Sequence, residues 1–481
     1  MNEMRDPSAT VLDVGAPCAA AVTDAPLVVE SLPVNVHTVS STRYWTLISS
    51  HAMVDVFPVM FATLLWPLRE RLSLTPGQLT FVMMATPIFS GLCQPLFAWL
   101  TDKYNTRLCG PVGLAIGAMC IGSIGFVQTF WQLAALQIVG VIAIGFYHPI
   151  SAALAGQVGS TRLRNGRTQA IGVFISSGMV GHAMGAKLGP TINALNDGRG
   201  MPYLAWLIIP ALLLALGLHF ATRKISHRHD NHREIHASFL PGVSKSHWWV
   251  IGILTVQNAL RFTVNVGLMV VMLNVWARSK LLQSGAFSIE AFGSHEAMER
   301  ALSSQASVHA GSLIAAMTVG MGLCAIFSGR LVKRGKEWWP LIVLSLIGAV
   351  VIAMLGPIAD AMYSIGGFAW WAMTPVYLCT ACTAIGFFAT FPIATSLAQR
   401  LQPGHTSLVT SMMMGVGWGI SAVAPLLAMV FFGFVSIDAA PTLSPARINI
   451  AFVCFAGLLV LAGLLTLVIP RDLVRNAAEQ H

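Results

Sequence analysis

The chain has 481 residues, of which only 10% are charged and 55% are hydrophobic. A water-soluble domain carries roughly 25% charged residues, so this composition excludes a soluble protein and indicates an integral membrane protein surrounded by lipid. The net charge of +9 is not gathered into a basic face with interleaved aromatic residues, and no nucleic-acid partner is expected.

The first 43 residues differ from the rest of the chain. They are rich in Ala, Val, Pro and Asp, and they lack the basic start and short apolar core of a signal peptide. We expect residues 1–43 to form a disordered cytoplasmic tail.

Apolar stretches long enough to cross a bilayer follow the tail. A spanning helix takes about 20 mostly apolar residues. Twelve such spans are predicted, at 44–67, 78–101, 108–128, 131–157, 167–195, 202–222, 248–277, 307–329, 338–358, 367–399, 406–434 and 448–470. The predicted fold class is an all-α membrane protein.

The positions of the basic residues predict the orientation of the spans. With the N-terminus in the cytoplasm, 19 of the 28 Lys and Arg residues fall on the cytoplasmic side and seven on the other, while Lys187 and Arg261 lie inside helices. Because cytoplasmic loops are enriched in Lys and Arg, this distribution favours two cytoplasmic termini.

The two halves of the chain resemble each other. "FYHPISAALAGQ" (146–157) aligns with "FATFPIATSLAQ" (388–399), which places Pro149 opposite Pro392. Such internal duplication is typical of transporters. We therefore predict an N-terminal six-helix bundle and a C-terminal one, joined by a cytoplasmic linker; the boundaries are 44–222, 223–247 and 248–470, with an enlarged external loop at 279–306 and a cytoplasmic tail at 471–481.

The linker contains four histidines within ten residues, at 227, 229, 232 and 236. No cysteine or ordered ligand spacing accompanies them, so a solvated basic linker is expected rather than a metal site. Neither a metal nor a cofactor is predicted for this chain.

Asp55 is the one acidic residue predicted near the middle of a span. A charge at that depth costs roughly 2.5–3.5 kcal/mol on insertion scales, so such residues usually serve a function or are paired. His51 lies one turn earlier on the same helical face. Asp55 and His51 are therefore predicted to carry protons; the alternative is a structural ion pair of Asp55 with Arg261 or Lys187.

His148 stands next to Pro149 in the fourth span. Proline has no amide hydrogen, so the carbonyl of Gly145 loses its helical donor and the helix is expected to bend. His148 either donates to a freed carbonyl or gains and loses a proton in a wet cavity. The second half keeps the proline but has Phe391 in place of the histidine, which favours a cavity role for His148.

Two six-helix bundles around a central cytoplasmic loop resemble the major facilitator superfamily. Four short motifs resemble, more narrowly, the fosmidomycin-resistance type of bacterial exporter: His51-x-x-x-Asp55, Gln94-Pro95, Thr101-Asp102-Lys103-Tyr104 and His148-Pro149. "GHAMGAKLGP" also looks like the fifth-helix signature of drug/proton antiporters through Gly181, Gly185, Gly189 and Pro190. That exporter family usually has a glutamate after His-Pro, whereas this chain has Ile150.

The resemblance implies roles for further residues. It implies a gating loop after the second helix with Asp102, Lys103 and Arg107, and a counterpart in the second half with Arg330, Lys333 and Arg334. It also implies a cavity lined by helices 1, 4, 7 and 10, towards which Asp55, His148 and Arg261 would point. The candidate substrate residues are Arg261, Asn258, Asn265, Phe387 and Phe388; for Arg261 a structural role, and for the two phenylalanines a packing role, are the alternatives.

The function indicated is secondary active transport, with a proton-coupled exporter of a small drug-like or anionic compound as the leading hypothesis. The alternatives are an importer or facilitator of an organic acid or other metabolite, and a non-transporting membrane sensor. An enzyme is not expected, because no nucleophile or phosphate-binding motif is present in the sequence. We expect a monomer in a bacterial inner membrane.

Overall fold

A computed structural model describes residues 41–103, 108–159, 166–223, 245–332, 335–402 and 406–479. The regular secondary structure within these ranges is helical. The first 40 residues and most of the predicted linker 223–247 lie outside the described residues.

The first half of the chain contains helices α1 to α6. Helix α1 is built from three consecutive pieces, and α6 begins as a 3-10 helix. Their bounds are Ser41–Val56, Val59–Thr63 and Leu65–Leu72 for α1, Pro76–Lys103 for α2, Cys109–Gly122 for α3, Phe130–Gly159 for α4, Gly166–Asn193 for α5, and Met201–Leu207 with Ile208–Thr222 for α6.

The second half contains α7 to α12, and several of these helices change their winding along their length. Their bounds are Lys245–Val266, the π-helix Gly267–Met272 and Leu273–Gln283 for α7, His295–Leu331 for α8, Trp338–Gly366 for α9, Trp370–Phe387 with Thr390–Leu401 for α10, five short pieces from Thr406 to Phe431 for α11, and Pro445–Leu464 with Leu465–Val468 for α12.

Eleven of these twelve segments, among the described residues, are long and apolar enough to cross a membrane. The twelfth, α5, carries glycine, serine and histidine along its length and packs between α1 and α8. The predicted all-α fold with twelve helices is confirmed. The two halves meet where α5 packs on α8 and where α2 packs on α11.

The glycines of α5 allow its backbone to touch that of α1. A side chain on Gly181 would collide with the carbonyl of Ala52, and one on Gly185 would collide with the carbonyl of Val56. Gly189 has ordinary room, since its nearest neighbour would be 3.4 Å away. The close contact at 181 and 185 holds α5 against the α1 segment that carries His51 and Asp55.

The predicted external loop 279–306 is mostly helical, because α7 and α8 extend into it. Helix α7 continues to Gln283 and α8 already begins at His295, leaving one short helix, Ile289–Phe292, between them. The Ser294 side chain caps α8 by accepting from the amide of Ala297. Polar residues in this stretch extend the two helices beyond the apolar spans, so the composition change did not mark a loop.

The end of the chain also differs from the predicted tail. Residues Arg471–Glu479 form a helix, on which Val474 and Ala477 are buried. The guanidinium of Arg471 lies 4.0 Å from the centre of the Trp338 ring at the start of α9. This terminal helix is therefore packed on the second half of the molecule.

A buried histidine and aspartate cluster as the candidate functional site

Asp55 lies on α1 immediately before a break in the helix. Pro58 has no amide hydrogen to donate, and α1 is interrupted between Val56 and Val59. The Asp55 side chain is only 4% exposed, and its Oδ2 lies 3.4 Å from Nε2 of His51. The pair predicted from the spacing of four residues is therefore formed inside the protein.

His148 reaches the same carboxylate from α4. Its Nε2 lies 3.0 Å from Oδ1 of Asp55, and its side chain is 26% exposed. Helix α4 is continuous through Pro149, and Nδ1 of His148 donates to the carbonyl of Ile144 at 2.8 Å. That carbonyl precedes the one freed by the proline at Gly145.

The hydrogen bonds of the two rings fix which nitrogen carries a hydrogen. Nδ1 of His51 lies 2.6 Å from the carbonyl of Phe174, and a carbonyl oxygen only accepts. Both Nδ1 atoms therefore carry hydrogens, as assigned from the bonding network. On a protonated ring Nε2 carries a hydrogen and donates to Asp55. On a neutral ring Nε2 has a lone pair, which repels the carboxylate unless a proton or another cation lies between the two groups.

Helices α4 and α5 enclose the cluster. The ring of His51 stacks on Phe174 with centroids 3.7 Å apart. The ring of Tyr147 is also nearly parallel to that of His51, with centroids 6.1 Å apart, and its hydroxyl forms a hydrogen bond with the Ser50 hydroxyl at 2.7 Å. These contacts hold the imidazole of His51 in one orientation towards Asp55.

Two residues of α5 complete the site, and the sequence interpretation missed both. A side chain on Gly178 would lie 2.5 Å from Cε1 of His51 and would collide with Asp55. His182 lies one turn later on the same helix, and its buried Nδ1 has no partner among the described residues. The spacing of glycines at 178, 181 and 185 was the available signal.

Arg261 is placed elsewhere. It is fully buried on α7, and Nη2 donates to the carbonyl of Leu341 and to Ser345 on α9, both at 3.3 Å. Among the described residues, the charged partners of Asp55 are His51 and His148. The alternative of an ion pair between Asp55 and Arg261 is therefore wrong for this structure.

The second alternative partner of Asp55, Lys187, is also elsewhere: its Nζ donates to Ser312 on α8 at 2.7 Å. Of the three residues predicted to converge on one volume, Asp55 and His148 lie together, whereas Arg261 contacts α9 instead. Whether Arg261 binds substrate stays a prediction.

The other predicted substrate residues are buried in the second half. Asn258 lies 3.5 Å from the sulfur of Met413 on α11. Asn265 is 1% exposed and Phe387 is fully buried. Phe388 packs near Phe391, with ring centroids 6.1 Å apart. None of the described contacts of these four residues reaches Asp55, and their role in a cavity stays a prediction.

The predicted gating residues are only partly described. Asp102 and Lys103 are helical residues at the end of α2, and Arg330 is helical near the end of α8. The other three predicted residues, Arg107, Lys333 and Arg334, lie outside the described residues. Their gating role stays a prediction.

A small apolar cavity of about 30 Å³ lies between the two halves. It is lined by α1, α2, α7 and α11, and Trp418 of α11 donates from its ring nitrogen to Ser90 of α2 at 3.1 Å. The lining residues are Pro58, Phe61, Ala62, Val82, Met83, Thr86, Pro87, Val266, Met269, Val270 and Trp418. The halves are thus packed together at this level, with room for little more than a water molecule.

Ion pairs join the halves at the end of α1. Arg69 lies 3.4 Å from Asp438 in the segment between α11 and α12 and 3.8 Å from Glu299 of α8. Arg300, also on α8, lies 3.8 Å from Glu70. The end of α1 and the start of α8 each carry an acidic and a basic residue, and these residues pair across the two helices.

Comparison with known proteins shows the family. The Major Facilitator Superfamily model matches residues 47–425. The fosmidomycin resistance protein of Escherichia coli (strain K12) is 27% identical over 182 residues, which are 37% of this chain and 43% of that protein. The match thus spans less than half of the relative's length.

Solved transporters share the fold at low sequence identity. A bacterial homologue of the human lysosomal transporter Spinster, inward-facing and unoccupied, has 13% identity and a TM-score of 0.57, and the match covers 92% of this chain and 98% of that chain. A mutant of the nucleoside transporter NupG has 14% identity and a TM-score of 0.58, and the match covers 89% of this chain and 99% of that chain. Together with the family match, this shows that the chain is a multi-pass membrane transporter that belongs to the Major Facilitator Superfamily.

Proposed function

We propose that the chain is a proton-coupled exporter of a small drug-like or anionic compound that works by alternating access. The observation that carries the proposal is the Asp55 carboxylate, held between Nε2 of His51 and Nε2 of His148. The two predicted bundles, 44–222 and 248–470, would rock around the centre of the molecule, with 223–247 as their cytoplasmic linker.

The cluster suits proton exchange because its charge depends on the protons it holds. Buried charges are costly, and that cost changes when water or substrate reaches them. The groups that face Asp55 are His51 from its own helix, His148 and Tyr147 from α4, and His182 from α5. No lysine or arginine lies within ion-pair distance of Asp55 in the described part of the chain, so the net charge of the cluster is set by how many protons the carboxylate and the histidines hold.

The direction of transport is proposed from two observations. One is the similarity to a protein named for fosmidomycin resistance; resistance is consistent with export. The other is the contact of Gly181 and Gly185 with α1, which places the antiporter-like segment against the proposed proton site. We propose a monomer in a bacterial inner membrane with cytoplasmic termini, so the ion pairs of Arg69 and Arg300 close the external side.

Transport into proteoliposomes under an imposed pH gradient tests the proposal, with fosmidomycin as the first compound and other anionic or amphipathic antibiotics after it. We expect gradient-driven movement in the unaltered protein and its loss in Asp55→Asn. The matched control is Asp472→Asn, since that carboxylate is 86% exposed on the terminal helix. If no compound moves, or if movement ignores both the gradient and Asp55→Asn, the proposal is wrong.

A further inference from the structure

We infer that His51, Asp55 and His148 also bind a divalent transition metal ion with the ligand preferences of Zn²⁺. This departs from the sequence interpretation, which predicted no metal. The inference uses the same three side chains as the proposed function, but it rests on the geometry of their donor atoms and not on transport.

The donor atoms lie close enough together to surround one zinc ion. The three ligand atoms all lie within 4.8 Å of one another. Oδ2 of Asp55 lies 3.4 Å from Nε2 of His51, and Oδ1 lies 3.0 Å from Nε2 of His148. Zinc bonds to nitrogen and oxygen are about 2.0–2.2 Å, which at tetrahedral angles separates neighbouring ligands by roughly 3.3 Å. A tetrahedral ion between these atoms would draw the donor atoms, which lie within 4.8 Å of one another, towards that spacing.

The outer contacts of the histidines are those of metal ligands. A ligating histidine usually donates its second ring hydrogen to a carbonyl or carboxylate, which fixes the ring and directs the other lone pair at the metal. His51 donates to the carbonyl of Phe174 and His148 to that of Ile144. Both rings thus turn Nε2 towards Asp55, and the neutral form of each ring offers a lone pair there.

Charge and access support the same conclusion. With two neutral histidines, the lone pairs of both rings face the anionic carboxylate, and a divalent cation between them removes this repulsion. Asp55 and His51 are almost fully buried, while the His148 side chain is 26% exposed and offers an approach. Two imidazoles and one carboxylate leave a fourth position for water or a transported group.

The experiment is titration of the purified full-length protein in detergent with Zn²⁺, followed by calorimetry, and with Co²⁺, followed by its visible absorption. The linker histidines at 227, 229, 232 and 236 are changed to asparagine in every sample, so that they contribute no binding. We expect one ion per chain and a tetrahedral Co²⁺ spectrum. Asp55→Asn and His148→Gln each remove a proposed ligand, so each should weaken binding by more than the roughly 10- to 100-fold that loss of an outer-shell partner costs.

His309→Gln is the matched control, because this histidine of α8 stacks on Phe368 away from the cluster; its binding should equal that of the linker-substituted protein. Two variants are used so that a folding defect in one, detected by size-exclusion chromatography, does not decide the result. Binding that is absent, or equal in Asp55→Asn and His148→Gln to that of the control, overturns the inference. Metal binding without gradient-driven transport would instead overturn the proposed function alone.

Discussion

Nε2 of His148 lies 3.0 Å from Oδ1 of Asp55, which joins α4 to α1 across 93 positions of the chain. In the second half of the chain, the position aligned with His148 is occupied by Phe391. The hydrogen bond therefore belongs to the first half alone, although both halves keep the following proline. Under the proposed function, proton handling would therefore lie in the first half of the chain.

Replacing His148 by Phe, which reproduces the second half, should abolish gradient-driven transport. The variant removes one of two histidine partners of a buried carboxylate, and an unsatisfied buried group costs about 1–3 kcal/mol. We therefore expect a lower melting temperature together with the loss of transport in proteoliposomes. His219→Phe on α6 is the control, because this histidine lies outside the cluster. Full gradient-driven activity in His148→Phe would exclude His148 from coupling.

Gly178→Ala should disable the cluster without changing its charged residues. The added methyl group would lie 2.5 Å from Cε1 of His51 and would collide with Asp55, and overpacking of this kind costs about 1–3 kcal/mol. Gly172→Ala on the same helix is the matched control, since nothing lies within 4 Å of the added carbon. The melting temperature and the transport rate should both fall in Gly178→Ala and stay unchanged in Gly172→Ala. If the two variants behave alike, the described packing of α5 on α1 is contradicted.

The fold was predictable because bilayer burial imposes a simple rule on sequence. Twelve apolar stretches of about 20 residues correspond to twelve helices, and they include α5, whose polar residues weaken the signal. The helix ends were not predictable. Segment 279–306 is polar yet mostly helical. Ser294 caps α8 through a local contact with the amide of Ala297, whereas the pair of Arg278 with Glu299 joins α7 to α8 and depends on the tertiary structure.

The site was predictable only in part. The pair His51 and Asp55 follows from helical spacing, and the weight given to His148 followed from its missing counterpart in the second half. The contacts of the Arg261 side chain were not predictable, because hydropathy shows that a residue lies inside the membrane but not which neighbouring helix its side chain faces. Packing directs it to the carbonyl of Leu341, and His182 was overlooked because a single histidine carries no pattern.

Arg69→Gln should loosen the end of the molecule where α1 meets α8. The variant removes the pairs with Asp438 and Glu299, and partly exposed pairs are worth only about 0–1 kcal/mol. We therefore expect a nearly unchanged melting temperature but faster hydrogen exchange in residues 284–294 and around Ser73. Glu290→Gln serves as the control because its side chain is exposed. Unchanged exchange in Arg69→Gln would show that these pairs do not hold the halves together.

Glu70→Gln should change how stability depends on pH. Glu70 lies beyond the apolar stretch Thr42–Thr63 of α1, and burial raises the pKa of its carboxyl above the ordinary 4.5, although the Arg300 guanidinium opposes the shift. The folded state therefore holds this proton more tightly than the unfolded state. It follows that ionisation of Glu70 lowers stability as pH rises from 4.5 through the folded-state pKa.

Glutamine has a similar size and cannot ionise, so Glu70→Gln should be at least as stable as the unaltered protein near neutral pH and indistinguishable from it below pH 4.5. Melting temperatures of both proteins measured across this range provide the test, with Glu290→Gln as the exposed control. A variant that is less stable than the unaltered protein at neutral pH would mean that attraction to Arg300 outweighs burial. In that case the charge pair, and not the desolvated carboxyl, would dominate at this end of α1.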